Sequence, residues 1–155
     1  MDLAATEFRG VGYLDPDPSW RMHAHFHPFH EIIAVVAGRM QVQAGGETVV
    51  GVAGDVLLYP AQLIHEERAD PQCPVKSYFA SFALESVPAG RFLRVRDRDG
   101  RIAQLMRWLY DDEVATARPN QSKLDSLMHV IVAEFFELRG VCENELVTRV
   151  RRYVR

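Results

Sequence analysis

Before residue 100, the chain consists of short, largely apolar runs that are rich in Val, Ile, Phe and Tyr, with Gly or Pro residues between them. Short runs of this composition, bounded by turn residues, predict β-strands. The predicted strands are Phe8–Leu14, Arg21–Phe26, His30–Ala37, Arg39–Ala44, Glu47–Val52, Asp55–Tyr59, His65–Arg68 and Val75–Leu84.

Turn residues support this division into strands. Gly45 and Gly46 separate two alternating segments and predict a hairpin. Pro60, Pro71 and Pro74 lie where strands are predicted to end, because Pro cannot donate a hydrogen bond to a neighbouring strand. No helical pattern interrupts the strands, which favours a sandwich or barrel.

After residue 100 the apolar period changes to 3.6, which predicts helices. Ile102, Leu105, Met106 and Leu109 have the spacing of one helical face, and Arg-Pro-Asn at 118–120 ends the pattern. A second helix is expected beyond this break, with Ser122 as N-cap and Gly140 as its stop. Its apolar face consists of Leu124, Leu127, Met128, Ile131, Phe135 and Leu138. A third helical pattern begins near Glu143 and continues to Arg155.

These patterns predict a mainly β protein with two to three C-terminal helices. We expect an N-terminal arm and first strand over residues 1–20, a barrel over 21–100 and a helical dimerisation segment over 101–155. Amphipathic helices can cover a barrel and still leave an apolar stripe for a second copy. A covering role and a two-fold dimer interface therefore both remain open.

Composition limits the partners and the compartment. The 155 residues include 18 basic and 21 acidic side chains, and their net charge of −3 gives no general attraction to nucleic acid or membranes. Cys73 and Cys142 are too few for a disulfide framework, so free thiols in a reducing compartment are expected. We find no signal peptide and no membrane-spanning run, which predicts a cytoplasmic protein.

Four of the six histidines lie within eight residues, at positions 23, 25, 27 and 30. On a strand, His25, His27 and Glu31 would share one face, and His65 on a later strand could join them. Imidazole and carboxylate groups in this number suit a divalent metal with an open position, such as Zn, Ni, Mn or Fe(II).

Further side chains are expected to line a pocket around this set. His23 has the parity of His25 and could extend the ligand set or lie at the mouth of the pocket, whereas His30 has the opposite parity and should point away. His129 is expected to be a partly buried helix residue. Glu67 and Ser77 should point inward and could hydrogen-bond a polar effector. Aromatic residues could form the apolar walls of this pocket or belong to the core of the barrel, and the candidates are Trp20, Phe29, Tyr59, Phe79 and Phe82.

The spacing resembles the paired motifs of the cupin superfamily. The first motif is matched by His25, His27, Glu31 and Gly38. The second is matched by Gly54, Pro60 and His65, but Gln62 stands where the family has Gly. Ser19 and Ala69 also replace an expected Gly and Asn. The resemblance covers residues 12–84 and implies a small jelly-roll barrel, or double-stranded β-helix, whose four ligand positions face the lumen. In cupins these positions hold a metal, make metal-free effector contacts or merely form the polar lining of the pocket, and all three alternatives stay open.

A narrower resemblance is to the N-terminal domain of AraC-type bacterial transcription regulators. It rests on the stretches 25–32, 54–60 and 63–65, followed by the aromatic-rich strand 75–84 and the helices. The final segment 148–155 resembles the start of that family's DNA-binding region, which would continue beyond residue 155. The resemblance implies that the barrel binds a small effector, such as a sugar or small acid, and that the helices form a homodimer. It also implies a mobile arm, residues 1–20, that closes over the ligand.

Three hypotheses follow. The first is the effector-binding and dimerisation domain of an AraC-type regulator, with DNA bound by the full-length protein and not by this chain alone. The second is a metal-dependent cupin enzyme, such as a dioxygenase, isomerase or lyase, acting on a small polar substrate. The third is a free-standing cupin that binds a sugar or metabolite.

Overall fold

The structure of the chain is a computed structural model that describes residues 6–154, with side chains described through residue 140. Within this part, nine strands precede two helices. The strands are β1 (Glu7–Leu14), β2 (Arg21–His25), β3 (His30–Ala37), β4 (Arg39–Ala44), β5 (Glu47–Val52), β6 (Asp55–Tyr59), β7 (His65–Ala69), β8 (Lys76–Ala83) and β9 (Leu93–Arg96). The helices are α1 (Arg101–Val114) and α2 (Gln121–Val154).

The strands form two antiparallel sheets with the connectivity of a jelly roll. One sheet has the order β1-β8-β3-β6-β9, and the other has the order β2-β7-β4-β5. The first eight strands therefore pair as β1 with β8, β2 with β7, β3 with β6, and β4 with β5. This nested pairing is that of a hairpin folded back into a double sheet. It confirms the predicted cupin-like barrel followed by helices.

All eight predicted strands are present, with ends that differ by at most one residue. The prediction missed β9, which extends the five-stranded sheet by pairing with β6. This strand has only four residues, and exposed Arg94 and Arg96 alternate with buried Leu93 and Val95. Its alternating pattern is thus present, but too short to distinguish from a loop.

The five-stranded sheet separates two apolar cores. On the lumen side, Ile33, Val35 and Leu57 pack against Met40 and Val42 of the other sheet. On the opposite side, the same sheet packs against the helices. The buried residues of this second core include Ile32, Leu58, Ala80, Phe82, Ile102, Met106, Leu109, Leu124, Met128, Ile131 and Phe135. Because β3 and β6 are covered on both faces, they appear in the sequence as continuous apolar runs.

The ends of the second helix differ from the prediction. Asn120, and not Ser122, caps α2, because Asn120 Oδ1 accepts a hydrogen bond from the backbone N–H of Lys123 at 3.2 Å. Gly140 does not stop the helix, which continues to Val154. A glycine inside a helix costs only about 1 kcal/mol, and no proline follows it. The predicted third helix is thus the continuation of α2. The side chains of Cys142 and of the arginines near the C-terminus lie outside the described residues.

Side chains of the helices bind the backbone of β1, which is an edge strand. Asp125 Oδ1 accepts a hydrogen bond from the Phe8 N–H at 2.9 Å, and Glu113 Oε2 accepts one from the Val11 N–H at 3.2 Å. Gln121 Nε2 donates to the Phe8 carbonyl at 3.2 Å. Most of the described part of the expected N-terminal arm is therefore a strand held between β8 and the helices.

Two smaller observations concern the expected compartment. Cys73 is half-buried and carries a free thiol. Among the described residues, no helix combines the length and the apolar character needed to cross a bilayer.

Candidate functional site

Neighbouring strands bring three histidines together. His25 and His65 are paired residues on β2 and β7, and their ring centroids lie 4.3 Å apart. His27 follows β2, and its ring centroid lies 5.1 Å from that of His65. One ring nitrogen from each of the three residues lies within 4.8 Å of the others. The sequence prediction that these histidines share a face is therefore met by the fold.

Backbone carbonyl groups hold each of the three imidazoles through its Nδ1 atom. His25 Nδ1 lies 2.7 Å from the His23 carbonyl, His27 Nδ1 lies 2.7 Å from that of Phe29, and His65 Nδ1 lies 2.8 Å from that of Leu63. A carbonyl can only accept, so each Nδ1 donates its proton, and each neutral ring leaves its Nε2 atom as the metal-ligating lone pair. This backbone support is typical of metal-binding histidines.

His65 Nε2 is buried and has no hydrogen-bond partner among the described residues. Burial lowers the pKa of His65 below its ordinary value, which favours the neutral ring. A buried nitrogen left without a partner costs free energy unless an ion, water or ligand satisfies it. The donor set therefore fits a divalent cation.

Glu31 joins this set through His27. Glu31 Oε2 lies 2.9 Å from His27 Nε2, and this hydrogen bond raises the pKa of His27 above its ordinary value despite partial burial. The two side chains therefore form an ion pair when His27 is protonated. All four predicted metal ligands lie in one connected cluster.

A second carboxyl group lies deeper in the lumen. A carboxylate oxygen from each of Glu31 and Glu67 and one ring nitrogen of His65 lie within 4.8 Å of one another. Burial, reinforced by the negative charge of Glu31, raises the pKa of Glu67 to about 8. The Glu67 carboxyl is therefore mostly protonated at neutral pH. The sequence predicted that Glu67 points inward, but not that it lies beside Glu31.

Tyr59 closes the inner end of the cluster. Its ring stacks on that of His65 with centroids 4.3 Å apart, and on that of Phe92 at 5.6 Å. The Tyr59 hydroxyl is buried without a hydrogen bond of ordinary geometry. Burial and the nearby Glu67 carboxyl raise the pKa of Tyr59 well above its ordinary value, so the hydroxyl keeps its proton. Phe92 lies just before β9, in a segment for which the sequence predicted no strand.

Three other predicted pocket residues line the lumen. Ser77 is buried and pairs with Val35, whereas Phe79 is partly exposed and pairs with Ile33. Both partners belong to the lumen core, so Ser77 and Phe79 face the lumen. Trp20 is partly buried against the same core.

The two remaining aromatic candidates, Phe29 and Phe82, do not line the lumen in the same way. The Phe29 ring stacks on the His27 imidazole, with centroids 4.3 Å apart. Phe82, predicted as a pocket wall, instead belongs to the core beneath the helices. The prediction for Phe82 was wrong because Phe79 and Phe82 are three residues apart on β8, so their side chains point to opposite faces and only Phe79 faces the lumen.

The structure does not bring His23 into the cluster. A bulge between Met22 and His25 leaves two residues, His23 and Ala24, opposite one residue of β7. The side chain of His23 is exposed, and Met22 takes the position that pairs with Glu67. The expectation that His23 shares the face of His25 assumed a regular strand and was wrong for that reason.

The other two histidines lie away from the cluster, as expected. His30 Nδ1 accepts a hydrogen bond from the Ala61 N–H at 2.8 Å, and His30 Nε2 donates to the Leu84 carbonyl at 2.8 Å. Burial lowers the pKa of His30, so the neutral ring bridges two loops. His129 is half-buried on α2.

An open groove of about 890 Å³ lies beside the cluster, at the hairpin end of the four-stranded sheet. The groove reaches His65 but none of His25, His27 and Glu31. Ile64 lines this groove and is 62% exposed, and Phe26, which lies between His25 and His27 in the sequence, is 61% exposed. The histidines therefore have exposed apolar residues as neighbours in the chain.

Comparisons with known proteins agree with this architecture. A family model described as the AraC-like ligand binding domain matches residues 10–132. No curated protein matches the chain.

Among solved structures, the protein YhaK from Escherichia coli is similar with a TM-score of 0.52 and 13% identity, covering 62% of this chain and 45% of that one. A cupin protein from Bacteroides fragilis has a TM-score of 0.42 and 20% identity, covering 51% of this chain and 67% of that one. The pirin YhhW from Escherichia coli, solved in complex with nickel(II), has a TM-score of 0.48 and 16% identity, covering 62% of this chain and 48% of that one. This chain thus spans less than half of the length of the two Escherichia coli proteins.

Proposed function

This chain belongs to the family of AraC-like ligand-binding domains, and we propose that it is the effector-sensing and dimerisation domain of a transcription regulator. The observation that carries this proposal is the cluster of three imidazoles whose Nδ1 atoms are held by backbone carbonyls while His65 Nε2 remains without a partner. Such a preorganised polar cluster inside an apolar barrel is the arrangement expected of a small-molecule site.

The proposed effector is a small polar molecule, such as a sugar or small acid. Glu67, Ser77 and the Tyr59 hydroxyl supply buried polar contacts, while Trp20 and Phe79 supply apolar walls. Burial strengthens hydrogen bonds to these groups and penalises ligands that leave them unpaired.

A divalent metal fits the same cluster. His25, His27, Glu31 and His65 would hold the ion, and Zn, Ni, Mn and Fe(II) are compatible with this donor set. When bound, the ion would supply a Lewis-acidic anchor for a hydroxyl or carboxylate group of the effector. The support for a metal is the buried nitrogen of His65, which an ion would satisfy.

The helices are the proposed homodimer interface. They bury one face against the five-stranded sheet, yet the side chains of Trp108 and Val130 on α1 and α2 are 52% and 43% exposed. A second copy could cover such residues through a two-fold contact.

Effector binding would act by shifting the population between arrangements of barrel and helices. A physical link exists in β1, which lies against β8 on one side and is bound by Asp125 and Glu113 on the other. We propose that the full-length regulator binds DNA through a separate domain. This chain alone, with a net charge of −3, would not bind DNA.

A metal-dependent cupin enzyme is the alternative. It is favoured by the three-histidine group together with the carboxyl groups of Glu31 and Glu67 beside His65, because many enzymes place an acid beside a metal. The enzyme hypothesis requires that the bound small molecule is chemically converted, whereas the sensor hypothesis requires that it is released unchanged.

Calorimetric titration of sugars and small acids, with and without Ni²⁺, tests the proposal. We expect one effector per chain, weaker binding by Phe79→Ala and Ser77→Ala, and recovery of the unchanged molecule by mass spectrometry. Recovery of a product would replace the sensor by the enzyme. Effector binding that both lumen variants leave unchanged would contradict the lumen site.

A further inference from the structure

The side chains that could hold a metal ion fall into two overlapping groups. The first group is His25, His27 and His65, and the second is Glu31, His65 and Glu67. Each group has three ligand atoms within 4.8 Å of one another, and His65 belongs to both. The bond of His65 Nδ1 to the Leu63 carbonyl leaves only Nε2 for an ion. One ion at a time can therefore use His65.

The three-histidine group does not explain why the carboxyl group of Glu67 is buried. Its side chain is buried with a relative exposure of 7%, and the ion pairs found among the described residues give it no Lys or Arg partner. Glu31, its carboxyl neighbour, is bonded to His27. Two buried carboxyl groups side by side are unfavourable unless a proton or a cation lies between them.

Two further buried polar atoms border the same place. Among the described residues, His65 Nε2 has no hydrogen-bond partner, and the Tyr59 hydroxyl, whose ring stacks on that of His65, has no hydrogen bond of ordinary geometry. A cation held by Glu31, His65 and Glu67 would satisfy the His65 nitrogen and balance the charge of the carboxyl groups when they are ionised.

We propose that Glu31, His65 and Glu67 form an inner cation position that competes with the three-histidine position for His65. The inner position presents two carboxylates and one imidazole, whereas the outer one presents three imidazoles. Oxygen-rich sets suit harder ions such as Mn²⁺, and nitrogen-rich sets suit Ni²⁺ and Zn²⁺. The lumen would thus accept two classes of divalent cation at different depths. This inference rests on the proposed role of the cluster as a metal site, but not on the identity of the effector.

Binding of Mn²⁺ and Ni²⁺ to chelator-treated protein tests the two positions separately. Loss of the electron paramagnetic resonance signal of free Mn²⁺ reports Mn²⁺ binding, and calorimetry reports Ni²⁺ binding. The variants are Glu67→Gln for the inner position and His25→Ala for the outer one. Glu66→Gln is the matched control, because Glu66 is the neighbouring residue of β7 with the opposite parity and lies outside both groups.

We expect Glu67→Gln to weaken Mn²⁺ binding by at least about tenfold, a loss seen even for residues that only support a metal ligand, and to leave Ni²⁺ binding within about threefold. His25→Ala should weaken Ni²⁺ binding by at least about tenfold and leave Mn²⁺ binding within about threefold. Because His65 is shared, saturating Ni²⁺ should also displace Mn²⁺ from the wild-type protein. Circular dichroism of each variant verifies that the fold is kept.

Other outcomes separate this inference from the proposed function. If Glu67→Gln changes neither affinity while His25→Ala weakens Ni²⁺, the inner position is overturned and the histidine site stands. Equal weakening of both ions by Glu67→Gln would mean a single position and would also overturn the inference, as would simultaneous binding of Mn²⁺ and Ni²⁺. If His25→Ala leaves Ni²⁺ binding unchanged, the metal anchor of the proposed function fails instead.

Discussion

Oε2 of Glu31 lies 2.9 Å from Nε2 of His27, so the carboxylate of one predicted metal ligand is bonded to the imidazole of another. A metal ion that used both residues would have to replace this bond. In protein without a bound ion, the same contact links the protonation of His27 to the stability of the fold.

The first prediction concerns pH. Glu31 raises the folded-state pKa of His27 above the ordinary value of 6.5. The ion pair therefore stabilises the fold fully below about pH 6.5, and this stabilisation is lost as pH rises through the folded-state pKa. Burial and the negative charge of Glu31 also raise the pKa of Glu67, so this group likewise contributes stability that is lost as pH rises.

Metal-free wild-type protein should accordingly lose more stability between about pH 6 and about pH 8 than the Glu31→Gln variant does. Urea unfolding at both pH values measures the difference, with Glu66→Gln as a control that should keep the wild-type slope. Equal slopes for wild type and Glu31→Gln would show that the contact does not govern the pH dependence.

The second prediction concerns Gln62, which has a backbone φ of 70°. This left-handed conformation is strained for a residue with a Cβ atom, and the cupin motif has glycine at this position. Gln62→Gly should stabilise the protein by about 1 kcal/mol, measured by urea unfolding. Ala61→Gly, at the neighbouring position, should be neutral or destabilising. A loss of stability in Gln62→Gly would show that its side chain contributes more than the strain costs.

The third prediction concerns the packing of Phe79 on β1. A Cβ atom at Gly12 would lie 2.2 Å from the Phe79 ring, so the ring occupies the space above this glycine. Gly12→Ala should destabilise the protein by about 1–3 kcal/mol, as expected for overpacking.

Two comparisons isolate the contact between Gly12 and Phe79. Gly10→Ala should have little effect, because nothing lies within 4 Å of a Cβ atom at that position. The cost of Gly12→Ala should shrink when Phe79→Ala is already present. Additive losses in this double-mutant cycle would exclude the contact as the cause.

The fourth prediction concerns the link between β1 and the helices. Asp125→Ala leaves the Phe8 N–H without its acceptor and should cost about 1 kcal/mol. Hydrogen exchange at the Phe8 amide should become faster, whereas Glu137→Ala, at an exposed position of the same helix, should leave it unchanged. Unaltered protection in Asp125→Ala would mean that β8 alone holds the strand.

The fifth prediction concerns the proposed dimer. Trp108→Asp places a charge on the exposed apolar surface of α1 and should convert the dimer to a monomer in analytical ultracentrifugation. Val50→Asp is the control, since Val50 is equally exposed at 52% but lies on the four-stranded sheet. A wild-type monomer, or a dimer that survives Trp108→Asp, would contradict the helical interface.

The sequence by itself determined eight of the nine strands found in the described residues, the presence of both helices and the main ligand candidates. Short runs rich in β-branched and aromatic residues, bounded by Gly and Pro, located these eight strands. The spacing of His25, His27 and Glu31 placed three ligands on one face, and the second motif supplied His65. These are local relationships within one strand or motif, so no knowledge of the partner strands was needed.

Only the tertiary structure decided which face each strand turns to the lumen and where the strands are irregular. A bulge in β2 places His23 outside the site, and Phe82 packs in the second core beneath the helices. Glu67 came to lie beside Glu31 because β7 and β3 belong to opposite sheets that meet across the lumen. Such neighbours depend on how sheets pack, which single-strand patterns do not record.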